Sequence, residues 1–216
     1  EIRLSLVGSE MCIRDRCTAI TRDENGGFTT PIIIWQDLRG VEMVPEMEEM
    51  LNKAGISAEE FYDICGMPLA GTYPLSKLLW VKKNIPEAYE NCTRIHTMMG
   101  LMNKAYGADD YYDDIGCSPW LQLNGEDFQY NQKLIDAFGI DREKLAPLAE
   151  TGTVIGHVTK EVAARTGLAE GTPLIMGIGD QQSACLGVGC IEEGIGYACG
   201  GTAGITAVSY THLTLP

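Results

Sequence analysis

Two short apolar segments, each followed by residues at helical spacing, constrain the fold of this chain more than any other feature. Residues 31–35 read Pro-Ile-Ile-Ile-Trp, and residues 173–177 read Pro-Leu-Ile-Met-Gly. Short apolar runs that end at polar residues or glycine are typical of buried strands. Strands that alternate with helical patterns predict an α/β architecture.

Helical patterns fill much of the sequence between these two segments. Residues 42–54 place apolar side chains at helical spacing, and the Ser-Ala-Glu-Glu of residues 57–60 is a capping box for a second helix. Leucines and lysines, Lys77 among them, predict an amphipathic helix over 75–83 that ends before Pro86. Further helices are predicted over residues 97–106, 131–138 and 160–166, with a cap at Thr159.

Charge and cysteine usage exclude several classes of protein. The net charge of −14 argues against a nucleic-acid partner, which needs clustered Lys and Arg. No apolar run approaches the roughly 18 residues of a membrane helix, so no membrane partner is expected. The eight cysteines contain no C-x-x-C pair, and His96 and His157 lack neighbouring ligands, so no metal site is predicted. An acidic cytoplasmic enzyme with reduced thiols fits these features.

The two ends of the chain are predicted to be foreign to the protein. Residues 11–16 can be encoded by ATGTGTATAAGAGACAG, and the reverse complement of that DNA encodes residues 208–212. A sequencing-library adapter leaves this signature when it is translated at both ends of a fragment. A targeting peptide is the alternative, but its apolar stretch is missing. We therefore expect adapter sequence at 1–16 and 208–216, and function within 17–207.

The hexapeptide Gly177–Gln182 places Asp180 where a buried strand is predicted to become a helix. Ligands of α/β proteins collect at the carboxyl ends of strands, and a helix N-terminus favours an ionised carboxylate. Such a carboxylate can accept the proton of a hydroxyl that attacks a phosphate. A helix cap is the simpler role, and the two roles are compatible. Ala184, Cys185 and Leu186 are expected to face inward.

Two other segments carry candidate binding groups. The Gly-Gly-Thr-Ala-Gly of residues 200–204 offers unobstructed N–H groups and one hydroxyl, as an anion-binding nest does, although a hairpin turn is the simpler interpretation. The Trp-Gln-Asp-Leu-Arg of residues 35–39 offers an aromatic ring, an acid and a base for a sugar. Its alternative is a core tryptophan beside a surface ion pair.

The order of these motifs resembles the FGGY family of carbohydrate kinases from about residue 23 to residue 207. The likeness lies in the strand that ends in Trp-x-Asp-x-Arg at 35–39, the Lys-Leu-Leu-Trp at 77–80, the Gly-Asp-Gln-Gln at 179–182 and the Gly-Thr at 201–202. The resemblance implies the actin-like, ribonuclease H-like ATPase fold, which has two lobes around a cleft. Residues 17–190 would belong to the N-terminal substrate lobe and 191–207 to the start of the nucleotide lobe.

The resemblance also implies roles for individual residues. Asp180 matches the catalytic base of the family, and Gln181 beside it matches a substrate contact. Trp35 matches an aromatic side chain near the substrate, and Asp37 lies in the same motif. The nucleotide phosphates would contact the two residues Gly201 and Thr202.

The activity implied is phosphorylation of a sugar hydroxyl by ATP with Mg²⁺, and a ketopentose such as xylulose is the favoured substrate. Two alternatives stay open, namely a glycerol or other polyol kinase and a non-catalytic sugar- or nucleotide-binding relative. Residues 113–118 depart from the Asp-x-Ser-x-Ala-Ser pattern of many members, which leaves the substrate class open there. The family's N-terminal phosphate turn has no counterpart here, so the chain alone is expected to be inactive. A homodimer of the full-length protein is a further expectation.

Overall fold

The computed structural model describes residues 18–115, 121–200 and 204–208. The chain divides into two compact units, Glu1–Gly177 and Ile178–Pro216. Both units contain helices and strands, so the predicted α/β class is confirmed. Within the described ranges no helix is both long and apolar enough to cross a membrane.

Short strands form three separate ladders among the described residues of the first unit. β1 pairs antiparallel with β2, β3 pairs parallel with β4, and β5 pairs antiparallel with β6. The ladder of β5 and β6 contains a register shift between Val154 and Gly156. The strands span Ile20–Arg22 (β1), Arg94–His96 (β2), Asp113–Asp114 (β3), Leu148–Ala149 (β4), Val154–His157 (β5) and Pro173–Ile175 (β6).

Seven α-helices are described in the first unit, and their starts follow the predicted caps. The Ser57 hydroxyl accepts a hydrogen bond from the Glu60 N–H at 3.0 Å, and the Thr159 hydroxyl accepts one from the Val162 N–H at 3.3 Å. The helices span Val44–Lys53 (α1), Ala58–Cys65 (α2), Pro74–Asn84 (α3), Pro86–Glu90 (α4), Met98–Tyr106 (α5), Gln132–Phe138 (α6) and Lys160–Thr166 (α7).

The main hydrophobic core lies between helices α1, α2, α3 and α6. Phe61 of α2 and Phe138 of α6 meet edge to face, with ring centroids 6.1 Å apart. Leu78 of α3 and Leu134 of α6 are fully buried in the same cluster. Helix α3 is buried over most of its circumference and therefore forms the centre of this layer.

The strand predicted over residues 31–35 is wrong. Only Ile33 pairs there, through an isolated bridge to Ala19, while Ile34 is 42% exposed. Pro31 has no N–H to donate to a ladder, and the Ile34 carbonyl accepts from the side chain of Lys77 instead of from a strand. The apolar run is therefore an extended segment that leads into a turn.

Three expectations about burial also need correction. Lys77 does not lie on a polar face of α3, because its side chain is 0% exposed. Pro173–Ile175 forms the predicted strand β6, but the strand is not buried, since Ile175 is 50% exposed. In the second unit, Leu186 is 59% exposed rather than inward-facing. In these three cases the apolar pattern predicted the helix or strand correctly, but not which of its side chains are buried.

The described residues of the second unit form one helix and one strand pair. Helix α8 spans Asp180–Gly187, as predicted from the hexapeptide. Strands Gly196–Gly200 (β7) and Gly204–Val208 (β8) pair antiparallel, with Gly200 opposite Gly204. The ladder agrees with the strands predicted for this glycine-rich segment.

Candidate functional site

The predicted sugar-binding segment forms a turn that projects its tryptophan. The Asp37 N–H donates to the Ile34 carbonyl at 3.1 Å, which closes the turn around Trp35. The Trp35 side chain is 43% exposed, so it is not the core tryptophan of the alternative interpretation. An exposed aromatic ring on an ordered turn is suited to stacking on the apolar face of a sugar.

Asp37 binds Arg39 through both of its carboxylate oxygens. Arg39 Nε donates to Asp37 Oδ1 at 2.9 Å, and Arg39 Nη2 donates to Oδ2 at 2.7 Å. The Arg39 N–H also donates to Oδ1, at 3.0 Å. These hydrogen bonds from Arg39 hold the pKa of Asp37 below its usual value. Asp37 is therefore an ionised acceptor whose geometry is fixed by the arginine.

Arg39 is fixed in turn by the aromatic ring of Trp80. Its guanidinium carbon lies 4.6 Å from the centre of that ring, a cation–π arrangement. The Trp80 indole N–H donates to the Glu42 carboxylate. The Trp-x-Asp-x-Arg segment and the Lys-Leu-Leu-Trp of α3, separate motifs in the sequence, thus form one connected surface.

Lys77 joins the same two segments from inside the protein. Its buried Nζ donates to the Ile34 carbonyl at 2.9 Å, immediately before Trp35. The positive charge of Lys77 also helps to lower the pKa of Asp37. Burying an ammonium group is unfavourable unless polar partners replace the lost water. The hydrogen bond to the Ile34 carbonyl is such a partner, and it ties the turn to helix α3.

Two glycines allow the turn to approach helix α3 closely. A Cβ atom on Gly40 would lie 2.2 Å from the Ser76 hydroxyl oxygen, and one on Gly71 would lie 2.3 Å from the Val41 Cα. The Ser76 hydroxyl donates at 2.8 Å to the Gly71 and Tyr73 carbonyls. The position of Trp35 and Asp37 therefore depends on a tight backbone contact that only glycine permits.

Sequence reasoning did not assign a site role to Lys77 or to these glycines. The helical spacing did indicate where Lys77 points. It lies three residues after Pro74 and four before Val81, on the same side of the helix, and both of those residues are buried. The glycines gave no such signal, since their partners come from distant parts of the chain.

The segment that departs from the family pattern begins with two buried carboxylates. Asp113 accepts hydrogen bonds from the Thr97 hydroxyl at 2.6 Å, the Thr97 N–H at 3.0 Å and the Gly100 N–H at 3.1 Å. Burial nevertheless raises the pKa of Asp113 to about 6. Asp114 is 0% exposed and accepts from the Thr151 hydroxyl at 3.3 Å. Residues 116–118 of this motif lie outside the described residues.

His96 lies beside this segment and is packed in the protein interior. Its ring stacks on Tyr111 with centroids 4.5 Å apart, and its Nδ1 is 2.7 Å from the Thr97 carbonyl oxygen. Burial lowers the pKa of His96 to about 4, so the ring is neutral at pH 7. Among the described residues, no three carboxylate, histidine or cysteine groups are placed to hold a metal ion.

The predicted base and nucleotide residues belong to the second unit. Asp180 is the first residue of α8, and Gly179 before it has the extended backbone of an N-cap. The side chains of Asp180 and Gln181, and the whole of Gly201 and Thr202, lie outside the described residues. The structure places Trp35 and Asp37 on one turn, and the roles of all six predicted residues stay predictions.

Comparisons with a family profile and with known proteins agree on one family. The profile described as the FGGY family of carbohydrate kinases, N-terminal domain, matches residues 14–187. The chain is 33% identical over 202 residues to an autoinducer-2 kinase from Enterobacter sp. (strain 638), covering 91% of this chain and 36% of that protein. It therefore spans little more than a third of this relative.

Solved structures share the fold at lower identity. A xylulose kinase from Rhodospirillum rubrum matches with a TM-score of 0.79 and 22% identity, covering 88% of this chain and 38% of that one. A Plasmodium falciparum glycerol kinase with ADP matches with a TM-score of 0.77 and 23% identity, covering 89% and 38%.

The chain has the actin-like ATPase fold that these solved kinase structures share, as the motifs predict. The chain belongs to the FGGY family of carbohydrate kinases, because the family profile covers most of its length.

Proposed function

We propose that the protein to which this chain belongs transfers the γ-phosphoryl group of ATP to a hydroxyl of a small sugar or polyol. The observation that carries the proposal is the family match over residues 14–187, which includes both the Trp-x-Asp-x-Arg turn and the start of α8 at Asp180. The proposal concerns the whole protein, since the chain covers about a third of its relatives.

Asp180 is the proposed general base. It begins a helix of eight residues, where the partial positive charge of the N-terminus favours the carboxylate over the acid. In the proposed step the substrate hydroxyl oxygen bonds to the γ-phosphorus while Asp180 accepts the hydroxyl proton. The bond from the γ-phosphorus to the oxygen of the β-phosphate breaks, and ADP leaves.

The turn after Ile34 supplies the proposed sugar contacts. Trp35 would stack on the sugar, and Arg39, oriented by Asp37, would donate to its hydroxyls. The Arg39 side chain is held by Trp80 of α3, and the backbone just before Trp35 is held by Lys77, so less conformational entropy is lost when a substrate binds. Gln181 is proposed as a further substrate contact.

ATP is treated as the second substrate, and Gly201 and Thr202 are proposed to contact its phosphates. The parts of the chain that the structure describes hold no ready-made cluster of metal ligands. Mg²⁺ is proposed to accompany the ATP, because this ion commonly binds through substrate phosphates with one or two carboxylates. The ion would neutralise charge on those phosphates.

A ketopentose such as xylulose is the first proposed acceptor, supported by the fold shared with the xylulose kinase of Rhodospirillum rubrum. Autoinducer-2 is a second candidate, supported by the 33% identity to a kinase named for it. Glycerol is a third candidate, supported by the structural match to a glycerol kinase. We also propose a cytoplasmic location, where ATP is available, and a homodimer of the whole protein.

A non-catalytic relative that binds sugar or nucleotide is the alternative function. The first residues of the complete reading frame discriminate between the two, because a kinase of this family needs an acidic Gly-Thr phosphate turn there. The absence of that turn from the complete reading frame would favour binding over catalysis.

The test of the proposal is a substrate panel. The complete protein is incubated with ATP and, separately, xylulose, autoinducer-2, glycerol and an aldohexose, and ADP formation and product mass are measured. We expect ADP to form with one acceptor together with a product heavier by one phosphoryl group. Binding of a sugar without any phosphorylated product would contradict the proposed activity.

A further inference from the structure

We propose that Cys185 and Cys190 are an oxidation site, at which the two thiols of the second unit form a reversible intramolecular disulfide at the end of helix α8. Both residues follow Asp180 in the same compact unit. The proposed kinase activity is not needed for this inference, which depends on the way that the helix ends.

Helix α8 ends in a Schellman motif. Gly187 is its last residue, and Gly189 has a φ of +76°, a left-handed conformation that glycine adopts readily. The Cys190 N–H donates to the Cys185 carbonyl at 2.8 Å, and the Gly189 N–H donates to the Leu186 carbonyl at 3.1 Å. These are the two nested hydrogen bonds that define the motif.

The Schellman motif brings a particular pair of side chains together. In this motif, the residue two positions after the C-cap donates its N–H to a carbonyl in the last helical turn. The side chains of those two residues frequently make a hydrophobic contact. In this chain, those two positions hold Cys190 and Cys185. The neighbouring Cys190 is one of the groups that raise the pKa of Cys185. A disulfide joins residues whose Cα atoms are about 4.4–6.8 Å apart, and the hydrogen bond from the Cys190 N–H to the Cys185 carbonyl holds the two backbones close together.

The two thiols differ in their access to an oxidant. Cys185 is partly exposed, whereas Cys190 is 9% exposed and its Sγ lies 3.1 Å from the Ile195 carbonyl oxygen. Cys185 is therefore assigned as the thiol that meets the oxidant, and Cys190 as the thiol that resolves it. Desolvation, together with the neighbouring Cys190, raises the pKa of Cys185. The reaction consequently needs a mildly alkaline solution to proceed quickly.

The proposed oxidant is hydrogen peroxide. The Cys185 thiolate attacks one peroxide oxygen, the O–O bond breaks, and Cys185 becomes a sulfenic acid as hydroxide takes up a proton to form water. The Cys190 sulfur then attacks the Cys185 sulfur, an S–S bond forms, the S–O bond breaks and a second water leaves. The two thiols lose two electrons and two protons in total, and the peroxide is reduced to two waters.

The sequence allows this pair to be isolated from the neighbouring thiol. Cleavage after glutamate at Glu170, Glu192 and Glu193 releases residues 171–192, which carry Cys185 and Cys190, separately from residues 194–216, which carry Cys199. The 216-residue chain is reduced, treated with hydrogen peroxide at about pH 8.5, close to the reference pKa of a thiol, alkylated in denaturant and then digested. Mass spectrometry reads the state of each peptide.

We expect residues 171–192 to lose both alkylation sites and to be lighter by two hydrogen atoms, and dithiothreitol to restore both sites. The peptide with Cys199 should stay alkylated. Oxidation of the chain in urea should give a lower yield of the same linkage, because the unfolded chain lacks the Schellman motif. Cys190→Ser should abolish the linkage and leave Cys185 as the oxidised residue.

Three results would overturn the proposal. One is full alkylation of residues 171–192 after peroxide treatment of the folded chain. Another is a disulfide that joins this peptide to residues 194–216 or to a second chain. The third is an equal yield of the linkage in urea. All three are read from the wild-type chain, so the result does not depend on whether a variant folds.

Discussion

The Nζ atom of Lys77, a residue of helix α3, lies 2.9 Å from the backbone oxygen of Ile34 and donates a hydrogen bond to it. This contact fixes the chain at the residue before Trp35, in the turn that also holds Asp37 against Arg39. A buried ammonium group thus connects the central helix of the core to the proposed sugar-binding surface.

Replacing this ammonium group should loosen the turn. Lys77→Met keeps a similar length but removes the charged donor of the Ile34 carbonyl, which then keeps only the Asp37 N–H, so the free energy of unfolding should fall by about 1–3 kcal/mol. Urea unfolding followed by circular dichroism measures the change. The matched control is Lys83→Met, because Lys83 forms an exposed ion pair with Glu46. An equal effect of the two substitutions would contradict the anchoring role of Lys77.

The ion pair between Asp37 and Arg39 should affect substrate binding more than stability. The pair is partly exposed, so Asp37→Asn should remove about 1 kcal/mol or less of interaction free energy. In the complete protein this corresponds to a rise in KM of up to about fivefold with little change in kcat. Steady-state kinetics measure both constants. A lower kcat at unchanged KM would show that Asp37 acts in the chemical step instead.

The close approach of the turn to α3 should not tolerate a larger residue at position 40. Gly40→Ala would place a Cβ atom 2.2 Å from the Ser76 hydroxyl oxygen and 2.5 Å from the Gly71 carbonyl oxygen. Overpacking of this kind costs about 1–3 kcal/mol, and a backbone atom cannot move aside as a side chain can. The control is Gly177→Ala, where the space around the new Cβ is open. Thermal unfolding that is equal in both variants would contradict this packing.

Two buried groups should make opposite contributions to stability in acid. The folded-state pKa of Asp113 is raised from 3.8 to about 6, so this group stabilises the fold at low pH and that stabilisation is lost as pH rises through 6. The folded-state pKa of His96 is lowered from 6.5 to about 4, so its stabilisation is present above pH 6.5 and is lost as pH falls to 4. The two contributions nearly cancel between pH 4 and pH 6.5.

Removing one group should reveal the other. Asp113→Asn should lose stability more steeply than the wild type between pH 6.5 and pH 4, by at most about 3 kcal/mol. His96→Gln should instead gain stability relative to the wild type over the same range. Urea midpoints at several pH values measure both slopes, and the remaining carboxylates cancel in the difference. Parallel curves for all three proteins would be inconsistent with these pKa values.

Local signals in the sequence predicted the helices and their caps. Ser57 and Thr159 cap α2 and α7 as expected, because a cap depends on residues three positions apart. The hexapeptide around Asp180 likewise predicted the start of α8. The order of the motifs identified the family, although each motif alone had a simpler explanation.

Long-range contacts were not predictable in the same way. The strand expected over residues 31–35 failed because the carbonyl of Ile34 binds a side chain 43 residues away. The burial of Lys77 and the tight fit at Gly40 have the same origin, since their partners come from another segment of the chain. Side-chain periodicity describes one element at a time and does not report which element packs against it.

The most direct test of the central claim is the rate of ATP-dependent phosphorylation by the complete protein with Asp180→Asn. The amide cannot accept the hydroxyl proton, so kcat should fall by about 10²–10⁴-fold, the usual contribution of a general base. Asp63→Asn, at an exposed position of α2, is the matched control and should leave kcat unchanged. Undiminished turnover by the Asp180→Asn protein would contradict the assignment of Asp180 as the base.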